Sequence, residues 1–245
     1  MNPRPGSYYA CASSTGKKGT TIMPLLKQIA ALLPYQWQTE LKRFHFSRQI
    51  SKGIFTIDEP EWKIFSEFIT SGDWVIDIGA NVGRYTKLFS ELVGARGRVI
   101  AFEPVPVTFS LLSANAQLFV HPNVTLINAA VAEKLDVVGM SIPKFSTGLT
   151  NYYQAHVSSV ADSELSVLTL SLDSLHINQR IALIKIDVEG HESFVLSGMS
   201  RLLEKHHPIL LIETGSKEVI DKLSASGYVP EKLQNSPNIL FKPNA

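Results

Sequence analysis

Two short stretches hold most of the side chains that could do chemistry. The first, VIDIGANVGRYT (residues 75–86), sets Asp77, Gly79, Asn81 and Gly83 where an apolar strand runs into a helix. The second, KIDVEGHE (residues 185–192), sets Lys185, Asp187, Glu189, His191 and Glu192 at another such junction. A glycine turn after a strand lets a ligand approach the backbone closely, and three ligands compete for the first stretch. A nucleoside triphosphate needs G-x-x-x-x-G-K-[ST], but Arg84 and Tyr85 follow Gly83. A dinucleotide needs G-x-G-x-x-G, but Ala80 and Asn81 fill the gap, giving Gly79-x-x-x-Gly83. A nucleoside ligand without a pyrophosphate remains. Asp77 would repel phosphate, yet it could accept hydrogen bonds from an ammonium group.

A second acid strengthens this reading. Glu103 closes the strand RVIAFE and lies twenty residues beyond Gly83, where an acid can take both hydroxyls of a ribose. Gly79 is otherwise a simple turn glycine, and Asn81 suits either a cofactor carboxylate or the cap of the next helix. In the second stretch, alternation would put Asp187 and Glu189 on one side if the strand reaches that far. A carboxylate or imidazole there could take the proton from a hydroxyl nucleophile. Glu189 and His191 are the candidate bases, and Asp187 is an orienter or cofactor contact. Acids also suit a helix start, which is the preferred reading of Glu192.

These clusters need a scaffold, and the pattern supplies one. WVIDI (74–78), RVIAFE (98–103), VTLINAAV (124–131), IALIKIDV (181–188) and ILLIE (209–213) read as buried strands. Helices are expected near 84–93, 106–119 and 216–226, and after 190 with Val195, Met199, Leu202 and Leu203 on one face. Terminal strands follow at 228–233 and 238–242. Short apolar strands alternating with amphipathic helices predict an α/β fold, a doubly wound parallel sheet that binds ligands at its strand carboxyl ends. Asp58, Pro60 and Glu61 have the spacing of a helix start, with Trp62, Phe65, Phe68 and Ile69 following at helical intervals. Residues 139–168 break the alternation and predict an inserted, lid-like segment over the site, with Tyr152, Tyr153 and His156 in it.

The chain has 245 residues and a formal net charge of +1, so no global field points to nucleic acid. The lone Cys11 forms no internal disulfide, which suits a reducing, cytoplasmic setting. Residues 1–52 read as an N-terminal arm, disordered at first and helical over 22–50, ahead of one domain over 53–245. IMPLLKQIAALLP (22–34) is too short to span a bilayer; it packs on the domain or, in a second reading, lies on a membrane surface. Glu213 could join Asp187 in holding a divalent ion, but no spacing demands a metal.

DWVIDIGANVGRYT (73–86), GRVIAFEPVPVTFSLL (97–112), NVTLINAAV (123–131), LSLDSL (170–175), IALIKIDVEGHESFVLSGM (181–199) and HPILLIE (207–213) occur in order and resemble the FkbM-type S-adenosylmethionine-dependent methyltransferases. The resemblance covers about residues 55–215. It implies a Rossmann-like, seven-stranded sheet with its last strand antiparallel, S-adenosylmethionine as cofactor, and O-methylation of a sugar or secondary-metabolite hydroxyl. One sub-class methylates the 2-hydroxyl of a fucosyl group on nodulation signals, and GMSIP…TGLTNYY (139–153) resembles it. The resemblance assigns cofactor contacts to Asp77, Gly79, Asn81, Gly83 and Glu103, and adenine contacts to Asn128 and Ala129, which otherwise merely pack a strand end. Tyr152, Tyr153 and Glu213 would meet a small-molecule or glycan acceptor. The rivals are a polyketide methyltransferase, a nicotinamide-dependent reductase and a scaffold that binds cofactor without turnover. A nucleic-acid methyltransferase lacks both a basic stripe and an Asn/Asp-Pro-Pro-Tyr motif.

Overall fold

The computed structural model describes residues 33–57, 59–143, 154–160, 163 and 165–244. Its centre is a seven-stranded sheet ordered β10-β11-β9-β8-β1-β2-β3. The middle strand is β1 (Trp74–Ile78), paired in parallel with β2 (Arg98–Phe102) on one side and β8 (Ile181–Ile186) on the other. β3 (Val124–Ile127) and β9 (Ile209–Glu213) extend the parallel set outwards. β11 (Asn238–Pro243) inserts between β9 and β10 (Tyr228–Lys232) and runs antiparallel to both. The chain steps from β1 to β2 and β3, then returns to β8 on the other flank of β1. That reversal opens a crevice at the carboxyl end of β1.

The strands are apolar because both faces are covered, and alternate residues enter different cores. Ile76, Ile78, Ile100, Phe102, Ile184 and Ile186 pack against α4 (Glu192–Ser197), α5 (Ser200–His206) and α6 (Lys217–Ala225) through Val195, Met199, Leu202 and Leu223. Val75, Val99, Leu183 and Leu211 meet Tyr85, Phe89 and Val93 of α2 (Arg84–Val93) on the opposite face. Phe65 and Phe89 meet edge-to-face there, with ring centroids 5.1 Å apart. By the same parity Asp77 and Lys185, register partners across β1 and β8, both lie on the α2 face.

Four expectations are corrected. VTLINAAV is not one strand: β3 stops at Ile127, and Ala130–Val131 form β4 in a second sheet ordered β4-β7-β5-β6. The described part of the inserted segment is structured, with β5 (Asp136–Ser141), β6 (His156–Ser158) and β7 (Leu165–Leu170) pairing antiparallel around a small core of Met140, Ile142 and Val167. The stretch after residue 59 forms two 3-10 turns, Pro60–Lys63 and Phe65–Glu67, rather than an α-helix. Glu61 there is buried and accepts hydrogen bonds from Asn238 and Ser236 instead of closing a capping box. Finally, β8 ends at Ile186, so alternation does not place Asp187 and Glu189; Glu189 sits in the left-handed region at φ 48°.

In the arm, α1 (Tyr35–Ser51) is helical as expected and packs on α3 (Pro106–Ala116). Phe46 joins Phe55, Val82 and Leu111 in a small core. Residues 1–32, Asp58, Tyr152 and Tyr153 lie outside the described residues.

Candidate active site

A cavity of about 480 Å³ opens where β1, β2 and β8 end. Gly79, Asn81, Glu103, Ala129, Asp187 and Glu189 all reach its wall, as do His191 and Glu213. The turn after β1 is held by the amides of Gly79 and Ala80, which donate to the Phe102 carbonyl at 3.0 and 2.9 Å. Gly79 has φ 79°, and a Cβ on it would stand 1.8 Å from the Asp187 carbonyl oxygen. Only glycine lets the two loops approach so closely. Gly83, at φ 92°, caps α2 against Leu112 and lies behind the cavity wall.

Glu103 is buried at the end of β2. Its two carboxylate oxygens accept the Asn81 and Val105 amides, both at 2.9 Å, which fixes the group in place. Burial pushes its pKa up to about 7, against the pull of those amides, and the Asp187 and Asp77 charges add to the rise. Asn81 has φ 50° and folds its side chain onto the Val82 amide, so its Oδ1 holds the turn. Asn128 donates to the carbonyls of Glu103 and Pro104, bracing the loop that carries the acid.

Asp77 lies beneath the turn rather than on the cavity wall. One of its oxygens accepts the Thr86 hydroxyl at 2.6 Å, and the other has no partner among the described residues. Burial raises its pKa, and Lys185 and Thr86 counter the rise. Lys185 is 3% exposed and pairs with Asp187 at 2.9 Å. Burial alone would lower the lysine; Asp187 and Asp77 outweigh it and hold the ammonium above its usual range. Its charge thus offsets two carboxylates around the β1 turn.

Lys185 also stands over the Tyr85 ring, 4.7 Å from its centroid. The Tyr85 hydroxyl donates to Glu59 and, at 3.3 Å, to Glu61. Burial and these two acids raise the phenol pKa, so it remains a donor. Glu59 reaches the cavity wall, and burial raises its pKa in turn. Sequence reasoning missed this network of Glu59, Glu61, Tyr85, Lys185 and Asn238. The acids were in view at residues 58–61, but their partners lie at residues 85, 185 and 238 and meet only in three dimensions.

Glu189 is exposed at the cavity wall, and its pKa is raised by desolvation and then by Asp187 and Glu192. His191 stacks on Phe194 with centroids 4.6 Å apart. Its Nε2 is buried without a partner among the described residues, and burial lowers its pKa, leaving a neutral imidazole. Glu192 accepts the Gly190 amide at 2.8 Å, the local helix-start role expected of it. Ala155, His156 and Met140 of the small sheet line the same cavity, so the described part of the insertion does border the site. Beside it a groove of about 470 Å³ shares Asp187, Glu189 and Glu213 and adds Glu192 and Ser216. No group of three or more His, Cys, Asp or Glu side chains placed to hold a metal occurs among the described residues.

A doubly wound sheet with one reversed strand places the chain in the class of Rossmann-like folds, here with a buried strand-end acid beside a turn without a phosphate-binding pattern. Within that class, residues 77–230 match the family described as the Methyltransferase FkbM domain, and the chain belongs to it. It is 28% identical over 145 residues to the hexuronic acid methyltransferase AglP of Haloferax volcanii, covering 58% of this chain and 56% of that protein. It is 30% identical over 156 residues to the 31-O-demethyl-FK506 methyltransferase FkbM of Streptomyces tacrolimicus, covering 52% of this chain and 60% of that protein. The chain thus spans less than two thirds of each relative. The crystal structure of Methyltransferase FkbM from Methylobacillus flagellatus superposes with a TM-score of 0.54 at 16% identity, covering 89% of this chain and 58% of that one, and shares the fold.

Proposed function

We propose that the protein transfers a methyl group from S-adenosylmethionine to a hydroxyl of a sugar or a similarly hydroxylated metabolite. The observation that carries this is one cavity lined both by Glu103, on the β2 flank of the β1 turn, and by Glu189 and His191, beyond the β8 flank. The first is built to hold a ribose, and the others can serve a reacting hydroxyl.

The residues present fit the cofactor. Gly79 lines the cavity, and its missing Cβ lets the Asp187 backbone close against the β1 turn that shapes the wall. Glu103 presents its remaining lone pairs to a ribose diol, and Ala129 leaves room for a flat base. Glu59 and Asp187 at the wall supply negative charge for the cofactor ammonium. When bound, S-adenosylmethionine supplies a methyl on a positively charged sulfur, which keeps the C–S electron pair as the acceptor oxygen forms the new C–O bond. The acceptor proton goes to the imidazole of His191, whose side chain lines the cavity and whose pKa burial lowers. Glu189 and Glu213 hold neighbouring hydroxyls of the acceptor in the adjoining groove. Alcohols are weak nucleophiles, so positioning carries much of the rate.

Both relatives are methyltransferases, one named for a hexuronic acid and one for 31-O-demethyl-FK506, which supports a hydroxylated acceptor. A fucosyl 2-hydroxyl stands within that range as a specific acceptor to try. The test incubates the protein with methyl-labelled S-adenosylmethionine and a panel of oligosaccharides, uronic-acid glycans and hydroxylated macrolides. Label is expected on a sugar hydroxyl, with His191→Ala losing roughly 100-fold or more in kcat while cofactor affinity holds. Cofactor binding without transfer to any acceptor would favour the scaffold reading, and equal rates in His191→Ala would move the base to Glu189.

A further inference from the structure

α1 has two apolar faces. Phe46 and Ile50 point into the domain, where they meet Phe55, Val82 and Leu111. Trp37, Leu41 and Phe44, spaced by four and three residues, fall on the opposite side of the helix at 64%, 48% and 61% exposure. Arg48 continues that outer stripe and stands over the Phe44 ring, 5.5 Å from its centroid. Leu33 and Ile54 add exposed apolar surface at either end. A contiguous exposed apolar stripe of this kind marks an interaction surface rather than a scatter of single residues.

Charge identifies the partner. Residues 1–57 hold eight Lys and Arg against one acid, Glu40, a formal +7; residues 58–245 hold fifteen against twenty-one, a formal −6. The near-neutral total conceals a cationic arm on an acidic body. A second copy seated stripe to stripe would bring two such arms together, whereas an anionic lipid surface offers apolar depth and negative charge at once. Tryptophan and arginine beside an apolar stripe are the side chains that suit that interface. Arg84 fixes the orientation by donating to the Thr56 carbonyl at 2.7 Å and to Gln49 at 3.1 Å. This ties the end of the arm to the first turn of α2, at the cavity end of the sheet.

We propose that the arm docks the protein on an anionic membrane surface, with Trp37, Leu41 and Phe44 entering the interfacial layer and Arg48 and Lys52 facing lipid phosphates. Docking would bring the cavity end of the sheet to the lipid, within reach of an acceptor carried there. The full chain should be sedimented with phosphatidylcholine vesicles and with vesicles holding about one third phosphatidylglycerol. Pelleting is expected with the anionic vesicles alone and should be lost at high salt. The double variant Trp37→Ser/Phe44→Ser should bind at least roughly tenfold more weakly while keeping its melting point and cofactor affinity. Arg48→Glu/Lys52→Glu should behave likewise. Absence of pelleting at low salt, or equal pelleting of the apolar variant, overturns the proposal. So does a concentration-dependent oligomer that the apolar variant abolishes without any vesicle binding, which would assign the stripe to a second copy. None of these readouts depends on methyl transfer, so the docking surface stands or falls apart from the catalytic reading.

Discussion

Glu103 illustrates how one side chain links stability to binding. Its folded pKa, about 7, exceeds the ordinary value of 4.5. A raised carboxyl pKa means the folded state holds the proton longer than the unfolded state. The group therefore costs nothing below about pH 4.5, costs progressively more up to pH 7, and costs a constant amount above. Ribose hydroxyls bond the ionised form, so cofactor should recover that cost. Thermal melts should show this contribution to stability falling between about pH 4.5 and pH 7, and falling less with S-adenosylmethionine bound. Calorimetry should show affinity rising over pH 6 to 8 in the wild type and flat in Glu103→Gln, with the variant at least about tenfold weaker at pH 8. Glu59→Gln should also weaken binding, by about 1 kcal/mol, if its carboxylate meets the cofactor ammonium. An unchanged affinity would leave Glu59 with only its structural bonds to Tyr85 and Asn238.

The elements are coupled at two narrow points. At Gly79 the β1 turn touches the backbone after β8, and a methyl group there would overlap the Asp187 carbonyl in a left-handed conformation. Gly79→Ala must push the two loops apart; a loss of about 2–4 kcal/mol in urea unfolding is expected, together with loss of cofactor binding. At Asn238 the first residue of β11 donates to the buried Glu61. Asn238→Ala leaves that carboxylate with fewer partners in a site closed to water. It should cost about 1–3 kcal/mol while acceptor specificity holds. The same method applied to Phe89→Ala, in the core between β1 and α2, should give about 3–5 kcal/mol.

Across the protein, the sheet presents one cavity end with the arm fastened beside it. A ligand that binds only the folded state stabilises it by mass action, about 2.7 kcal/mol at a hundred times its dissociation constant. For a domain of this size that corresponds to a rise of roughly 5–10 °C in Tm. S-adenosylmethionine should give such a rise and NAD none. A comparable shift with NAD would revive the nicotinamide reading of the Gly79–Gly83 turn.

The α/β order was legible because it rests on local physics. Buried parallel strands must be apolar and amphipathic helices must repeat at 3.6, so WVIDI, RVIAFE and ILLIE appear as strands, and α2 falls on residues 84–93 as read. Glu103 was legible as well, because a motif fixes its distance from Gly83. The small sheet beside the site was not, since β5, β6 and β7 are short and pair between residues well separated in sequence. Neither was the network of Glu59, Tyr85, Lys185 and Asn238, because residues from four separate segments become neighbours only when the sheet assembles. The two-faced arm helix escaped notice for a different reason: opposed apolar stripes cancel in a search for one-sided periodicity, and only packing shows which stripe is covered. Chemistry written in consecutive residues could be read from the chain, whereas burial, which sets the pKa of Glu103 and exposes Trp37, belongs to the folded state alone.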